Sequence, residues 1–519
     1  MKTALLIRIN AWHEVWGTHA IVDEIKRYFD VTDVITVATP QTDTLKFLQH
    51  DPRYKEIILF PPNESQQKTL TLWRKIFTKR NFDYSILAFD SELPERQPKH
   101  LISLFLSPGK KYFYQTGVGF FRVWSTKGFR LLYQTITFQL SQQFKLRWQK
   151  KLCKKPPQFL CDLTNQPIKR ILWMRPDHLG DVVMTLPTLK ILKHYFPIAE
   201  IDALVRPESA EMLKPVNDFN QIHILNIKPY TDTPMSNTEL QELKVSLTER
   251  HYDLSIDFRG DDTLRKLTYN LKIPFRVGHS DWKVNQTPKD YSFLLTHPID
   301  YPMGAEHSIE KNVGILEKIG LHSSKIIFTL NVEVKDLKSV QTVLRNKNIT
   351  SKFAIIHAQS RDYTRGWSSK RFAQVANYLV RHYGFQVLIT GAPVNSKYNE
   401  EILNKVEFPS KVHNAAGWFT LTELPALLKL AIIMVTIDSG PMHMAAAVGT
   451  PLVAMMLPNF TNSFYPYGQQ ESVMVPTESD IISLAENKEN EGLMLKAITV
   501  KAVTNAIDRV LREKQSIHQ

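Results

Sequence analysis

Three short clusters in this 519-residue chain place chemically useful side chains beside turn-forming residues. The first runs from Arg175 through Pro176, Asp177, His178, Leu179, Gly180 and Asp181 to Pro187. A carboxylate at the mouth of a helix, next to a glycine turn, can take the proton of a hydroxyl that attacks an electrophilic carbon. Asp181 is the candidate for that task, with Asp177 as a second candidate carboxylate and the His178 imidazole as a weaker candidate. Gly180 would let a ligand come close to the backbone. The competing reading is that Asp181 merely caps the helix, a position aspartate favours anyway.

The second cluster, His357 to Phe372, follows an apolar run and opens a helix. Its Ser360, Arg361 and Arg365, together with free amides, make a plausible phosphate cradle, although a solvated basic loop would look similar. The third cluster is Asp438-Ser439-Gly440-Pro441-Met442-His443, closed by Gly449-Thr450-Pro451. Ser439 to Pro441 would start a helix of small residues whose amides face an anion, and proline suits the first helical turn.

The elements that must carry these clusters alternate between strand and helix from about residue 167 onward. Ile171–Met174, Glu200–Val205 and Leu254–Phe258 are strands of a first half. Phe353–His357, Gln386–Thr390, Ile432–Ile437 and Leu452–Met456 are strands of a second. Two doubly wound domains across a cleft place ligands at the carboxyl ends of their strands, where all three clusters fall.

The chain also repeats itself. Met1–Phe29 and Ile168–Phe196 align at a constant offset of 167, and nine of positions 2 to 40 then meet identical residues. Ordinary residue frequencies give about two to three such matches. The first copy has Ala11-Trp12-His13-Glu14 where the second has His178-Leu179-Gly180-Asp181, so it reads as a duplicate whose site has degenerated. Convergence of two similar strand-helix openings is the alternative.

Between the copies, residues 110–155 carry 11 basic residues, 11 aromatics and no acid, which accounts for all but three charges of the net +14. A cationic helix with Trp, Phe and Leu suits an anionic membrane surface. A helix packed between domains with its charges solvated and, less readily, nucleic-acid stacking are the rival readings. Charge concentrated in one segment argues against a general nucleic-acid binder. No run approaches the roughly 18 apolar residues that a spanning helix needs. The start of the chain reads as a buried strand, not a signal peptide. Cys153 and Cys161 form neither a disulfide framework nor a zinc pattern, which fits a reducing cytoplasm.

Taken together, the motifs resemble glycosyltransferase family 9, the lipopolysaccharide heptosyltransferase family, over residues 167 to 480. The resemblance rests on Gly180-Asp181-Val182 with Thr185 and Pro187, on Ile356-His357 followed by Trp367, and on Asp438 to His443 with Gly449 to Pro451. It implies an α/β GT-B fold of two Rossmann-like doubly wound domains, here preceded by an extra Rossmann-like domain. The expected divisions are 1–117 for the extra domain, 118–166 for the basic bridge, 167–335 for the acceptor domain and 336–519 for the donor domain. It also implies an inverting transfer without metal or other cofactor, with a nucleotide-sugar such as ADP-heptose as donor and a lipopolysaccharide core or other surface glycan as acceptor.

On that resemblance Asp181 is the catalytic base, and it stays ionised as an aspartate at a helix N-terminus should. Ser360, Arg361, Arg365 and Asp438 to His443 hold the donor. Arg365 stands where family members commonly have a lysine that contacts the donor phosphates. Asn395 and Glu400 stand near the place of an acidic residue that often holds the ribose, which leaves donor identity open. Asp177, His178, Gly180, Arg259 and Asp261 face the acceptor, with Gly278 and His279 nearby. The expected partners are donor, glycolipid or oligosaccharide acceptor and, through residues 118–155, an anionic membrane surface, with no nucleic acid. The expected location is the cytoplasm, at the inner face of the membrane. A non-catalytic scaffold built on the same fold, and a nucleotide-sugar hydrolase or epimerase, are the competing functions.

Overall fold

The computed structural model describes residues 3–7, 25–27, 29–31, 33–38, 56–59, 82–89, 110–115, 119–122, 162–226, 237–260, 262–280, 291–299, 307–359, 366–476 and 494–517. Its contacts divide the chain into two compact units, the first built from residues 1–154 and the second holding the two sheets that follow.

The first unit contains β1 (Thr3–Ile7), β2 (Asp33–Ala38), β3 (Glu56–Leu59), β4 (Tyr84–Phe89), β5 (Lys110–Gln115) and β6 (Gly119–Arg122), in the order β3-β2-β1-β4-β5-β6. All neighbours are parallel except β5 and β6, where Phe113 faces Phe121 in an antiparallel pair. Residues 119–122, assigned above to the bridge, therefore belong to this sheet. Of the remaining bridge only residues 162–166 are described, and there Leu163 is buried in the second unit's core, its amide donating to Ile319 O at 3.0 Å.

The second unit begins with β7 (Arg170–Met174), β8 (Glu200–Val205), β9 (Gln221–Ile224), β10 (Leu254–Asp257), β11 (Phe275–His279) and β12 (His297–Ile299). They form a parallel sheet ordered β9-β8-β7-β10-β11-β12. A third sheet follows, with β13 (Phe353–His357), β14 (Gln386–Thr390), β15 (Val412–Asn414), β16 (Ile433–Ile437), β17 (Leu452–Met455) and β18 (Val473–Met474) ordered β15-β14-β13-β16-β17-β18. The central strands are apolar runs buried on both faces, as parallel strands covered by helices must be. Each sheet thus has the doubly wound order, in which the chain reverses direction beside its first strand.

The correspondence between the first two sheets extends to individual residues. Thr3 pairs with Asp33 and Arg170 with Glu200, so both members of the pair shift by 167. In the first sheet the Asp83 carboxylate accepts the Thr3 amide at 2.7 Å, and in the second the Asp253 carboxylate accepts the Arg170 amide at 2.9 Å. Backbone bonds run Asp83 N to Thr3 O and Asp253 N to Arg170 O, each at 2.9 Å.

Four helices of the second unit matter for the site: α1 (Leu179–Thr185), α2 (Pro187–Tyr195), α3 (Ser308–Glu317) and α4 (Gly440–Val448). Pro187 opens α2, where its missing N–H is no loss. The α4 helix ends at Gly449, whose φ of 78° lies in the left-handed region. Val182 and Val183 of α1 share one apolar cluster with Met442 and Ala445 of α4, so the two lobes of this unit are joined through a buried core. A final helix, α5 (Val500–Ile517), packs on the third sheet's lobe. Its Val503 and Ile507 join the cluster around Trp367, whose indole nitrogen donates to Ile498 O at 3.0 Å.

Candidate functional site at the lobe junction

The end of β7 delivers Arg175, and a tight turn through Pro176 and Asp177 then leads into α1. His178, in extended conformation, is the N-cap residue of α1 and makes no side-chain capping bond. Asp181 therefore sits within the first helical turn and is not the cap. Its carboxylate turns back onto Arg175, whose NH2 reaches Asp181 Oδ1 at 3.0 Å. The same NH2 lies 3.8 Å from Asp177 Oδ2. Arg175 is itself fixed, because NH1 donates to the Phe258 carbonyl.

Burial is the main force on the Asp181 carboxyl and pushes it up, assisted by the Asp177 carboxylate and, less, by Asp438. The Arg175 guanidinium opposes them, and the group settles at about 7. The expectation that a helix N-terminus keeps Asp181 fully ionised thus fails, since loss of water outweighs the helix dipole. A carboxylate of this strength is matched to general-base work near neutral pH.

Across the lobe junction, β16 ends at Ile437 and Asp438 leads into α4. Ser439 is the N-cap of α4 with no side-chain capping bond, its hydroxyl lying 3.3 Å from that of Thr436. The N-termini of α1 and α4 meet at two glycines. A Cβ on Gly440 would stand 3.4 Å from the Gly180 amide nitrogen, and one on Gly180 would stand 2.9 Å from His443 Cδ2. His443 is 3% exposed, and burial pushes its imidazole down to about 3, so the ring is neutral. The structure thus brings together Asp177, His178, Gly180 and Asp181 from one lobe with Gly440 and His443 from the other, and Asp438 is close enough to act on Asp181. Pro441 and Met442 lie in the first turn of α4, with Met442 fully buried.

Other expected residues are placed differently. Arg259 is 5% exposed and its NH1 donates to Pro176 O at 3.1 Å, so it braces the Arg175–Asp181 turn from behind. His279 is buried, its imidazole pushed down to about 3 by burial and then by Arg175, Arg265 and Lys311. Asn395 Oδ1 accepts the Ala392 amide at 2.8 Å and its amide donates to Gln359, which closes the turn after β14. Glu400 accepts from Asn414 Nδ2 at 2.6 Å. Ser360, Arg361, Arg365 and Asp261 lie outside the described residues.

Two supports were not expected. Asn312 of α3 donates to Thr185 Oγ1 at 3.0 Å, and Thr185 in turn donates to Asp181 O at 2.7 Å, which ties the catalytic turn of helix to α3. His307 accepts the Ile309 amide at the start of α3, while its Nε2 lies 2.8 Å from Tyr465 O in the other lobe. Nothing local in the sequence marks the Asn312–Thr185 or His307–Tyr465 contact, because those partners lie more than 120 positions apart. Among the described residues no group of three or more His, Cys, Asp or Glu side chains is arranged to hold a metal ion.

Residues 240–493 match the sequence model of glycosyltransferase family 9 (heptosyltransferase). The chain carries a glycosyltransferase family 9 domain. The match begins after Asp181 and includes the Asp438–His443 turn. This glycosyltransferase is 25% identical over 285 residues to lipopolysaccharide heptosyltransferase 3 of Escherichia coli K12, covering 53% of this chain and 79% of that one. A second lipopolysaccharide heptosyltransferase 3 from Escherichia coli is 23% identical over 64% of this chain and 96% of its own length. Among solved structures, a glycosyl transferase family 9 protein from Veillonella parvula superposes with a TM-score of 0.57 at 22% identity, over 66% of this chain and 97% of that one. The E. coli ADP-heptose lps heptosyltransferase II gives 0.54 at 21% identity, over 67% and 99%. The glycosyltransferase therefore has the GT-B fold, preceded by a further α/β sheet.

Proposed function

We propose that this glycosyltransferase moves heptose from ADP-heptose, with inversion and without a metal ion, onto a lipopolysaccharide core or related surface glycan. The observation that carries the reading is the approach of Asp181 to the Asp438–His443 turn across the lobe junction. One lobe offers a base and the other an uncapped helix start suited to a diphosphate. The names of the two E. coli relatives and of the E. coli structure support heptose and ADP as the sugar and nucleotide.

In this reading Asp181 takes the proton of an acceptor hydroxyl while its oxygen attacks the anomeric carbon. The bond from that carbon to the donor phosphate breaks on the opposite face, and its electron pair leaves with the diphosphate. The N-terminus of α4, Ser439, Arg365, Ser360 and Arg361 stabilise the departing charge. His178 and the Gly180 backbone line the acceptor side. The N-terminal unit is read as a degenerate copy of the acceptor lobe, supported by the shared strand order, the constant offset and the paired Asp83 and Asp253 bonds. Residues 118–155 are read as the contact with an anionic membrane at the cytoplasmic face. No described helix is long and apolar enough to cross a membrane.

The deciding experiment follows transfer from ADP-heptose, GDP-mannose and UDP-glucose to a heptose-deficient lipopolysaccharide core, with and without EDTA. Transfer from ADP-heptose that survives EDTA and disappears in Asp181→Asn is expected. Unimpaired turnover in that variant would remove the base assignment. Donor binding without any turnover would favour a scaffold, and donor hydrolysis without acceptor would favour a hydrolase. Retention on phosphatidylglycerol vesicles, lost when Lys145, Arg147, Lys150 and Lys151 are changed to Gln, tests the membrane contact.

A further inference from the structure

Asp177 is a buried carboxylate that the transfer chemistry leaves unused. It was expected to face the acceptor, yet its side chain is only 8% exposed and lies 3.8 Å from the Arg175 guanidinium. Its Oδ1 accepts the His178 amide at 3.0 Å, which fixes the carboxyl group at the entry to α1. Arg175 therefore serves two carboxyl groups, and all three side chains are largely removed from bulk water. With Asp177 uncharged, the guanidinium would serve Asp181 alone and draw its carboxyl down from the level that burial sets.

We propose that Asp177 is a positioning residue for Asp181: held at the entry to α1 and sharing the Arg175 guanidinium, it prevents Arg175 from pairing with Asp181 alone. The inference rests on the reading of Asp181 as the base. Among the described residues other charged or titratable groups also lie near this triad, and the Arg259 guanidinium, which donates to Pro176 O, is one of them. Asp438, at the end of β16, adds a weaker push in the same direction. His443, on α4, is neutral because burial pushes its imidazole down to about 3. His279, at the end of β11 beside Arg175 and Lys311, is neutral for the same reason. Asp177 differs from these in sharing one guanidinium nitrogen with Asp181.

The test is a carbon-13 NMR titration of the full chain labelled at the aspartate carboxyl carbons, with the Asp181 signal assigned by its loss in Asp181→Asn. Asp177→Asn keeps the acceptor for the His178 amide and removes the charge. It should move the Asp181 midpoint about one pH unit or more to the acid side. Asp177→Glu, which restores the charge, should return the midpoint toward its original value. The acid limb of ADP-heptose turnover should follow the same displacement, which a merely structural role would not produce. An Asp181 midpoint unchanged in Asp177→Asn overturns the proposal. Turnover that survives Asp181→Asn overturns the base assignment instead, and the titration tells the two failures apart.

Discussion

A methyl group added to Gly180 would lie 2.9 Å from Cδ2 of His443, closer than packed side chains allow. The histidine ring cannot give way easily, because it is 3% exposed and wedged among the apolar residues of α4. Gly180→Ala should therefore push the lobes apart at the point where Asp181 and the donor turn meet. Overpacking of this kind costs about 1–3 kcal/mol. We expect a lower melting temperature and at least a tenfold loss of turnover. Wild-type melting and turnover in that variant would show that the contact has slack.

The Asp181 carboxyl, pushed up to about 7 mainly by burial, predicts the pH dependence of transfer. Below that pH the group is protonated and cannot accept a proton. The logarithm of kcat/KM should fall with unit slope as pH drops below about 7. A pH-independent rate between 5 and 8, measured under single-turnover conditions, would contradict it.

The same shift has a consequence for stability. The folded state binds the proton more tightly than the unfolded chain, whose aspartates titrate near 3.9. The stabilising proton is fully present below that value and is lost as pH rises through about 7. Asp181→Asn should thus be inactive yet more stable at pH 8, by about 2 kcal/mol after allowing for the lost ion pair. Denaturation at pH 4 and pH 8 checks this, since the gain should shrink at the lower pH.

At the opposite end of the second sheet, the fully buried Asp202 accepts Arg250 Nε and Tyr252 OH, each at 2.7 Å. Burial works against its charge, but the nearby His223 imidazole and the hydrogen bonds from Arg250 and Tyr252 outweigh it and hold the carboxyl below the usual range. This network contributes stability above the unfolded value near 3.9 and loses it as pH falls further. Asp202→Ala should cost about 3–5 kcal/mol, because it strands the buried groups that face it. Urea denaturation would reveal that loss, with turnover at low temperature largely retained.

Much of this molecule could be read from its residues, and the exceptions have physical reasons. The apolar runs at Ile171–Met174, Phe353–His357 and Ile433–Ile437 announce buried parallel strands, since each must be covered on both faces. The offset of 167 foretells matching registers in two sheets. Asp181 stands out through its glycine neighbour. Its protonation does not, because that depends on Arg175 and Asp177 folding back within a turn and on water being excluded by α4. Arg259 looks like a cleft residue in sequence, yet its length lets it reach back to Pro176 O. Asn312 is invisible as a helix brace until α3 and α1 are brought together.

The glycine crossing between α1 and α4 has one more implication. The two backbones approach each other directly there, with the His443 ring and the Leu179 side chain packed beside them. So close a contact fixes the two lobes at one point, and Asp181 sits one residue from it. Rotation about that point would open the distant rim of the gap widely for a bulky saccharide while barely changing the spacing of the groups beside the pivot.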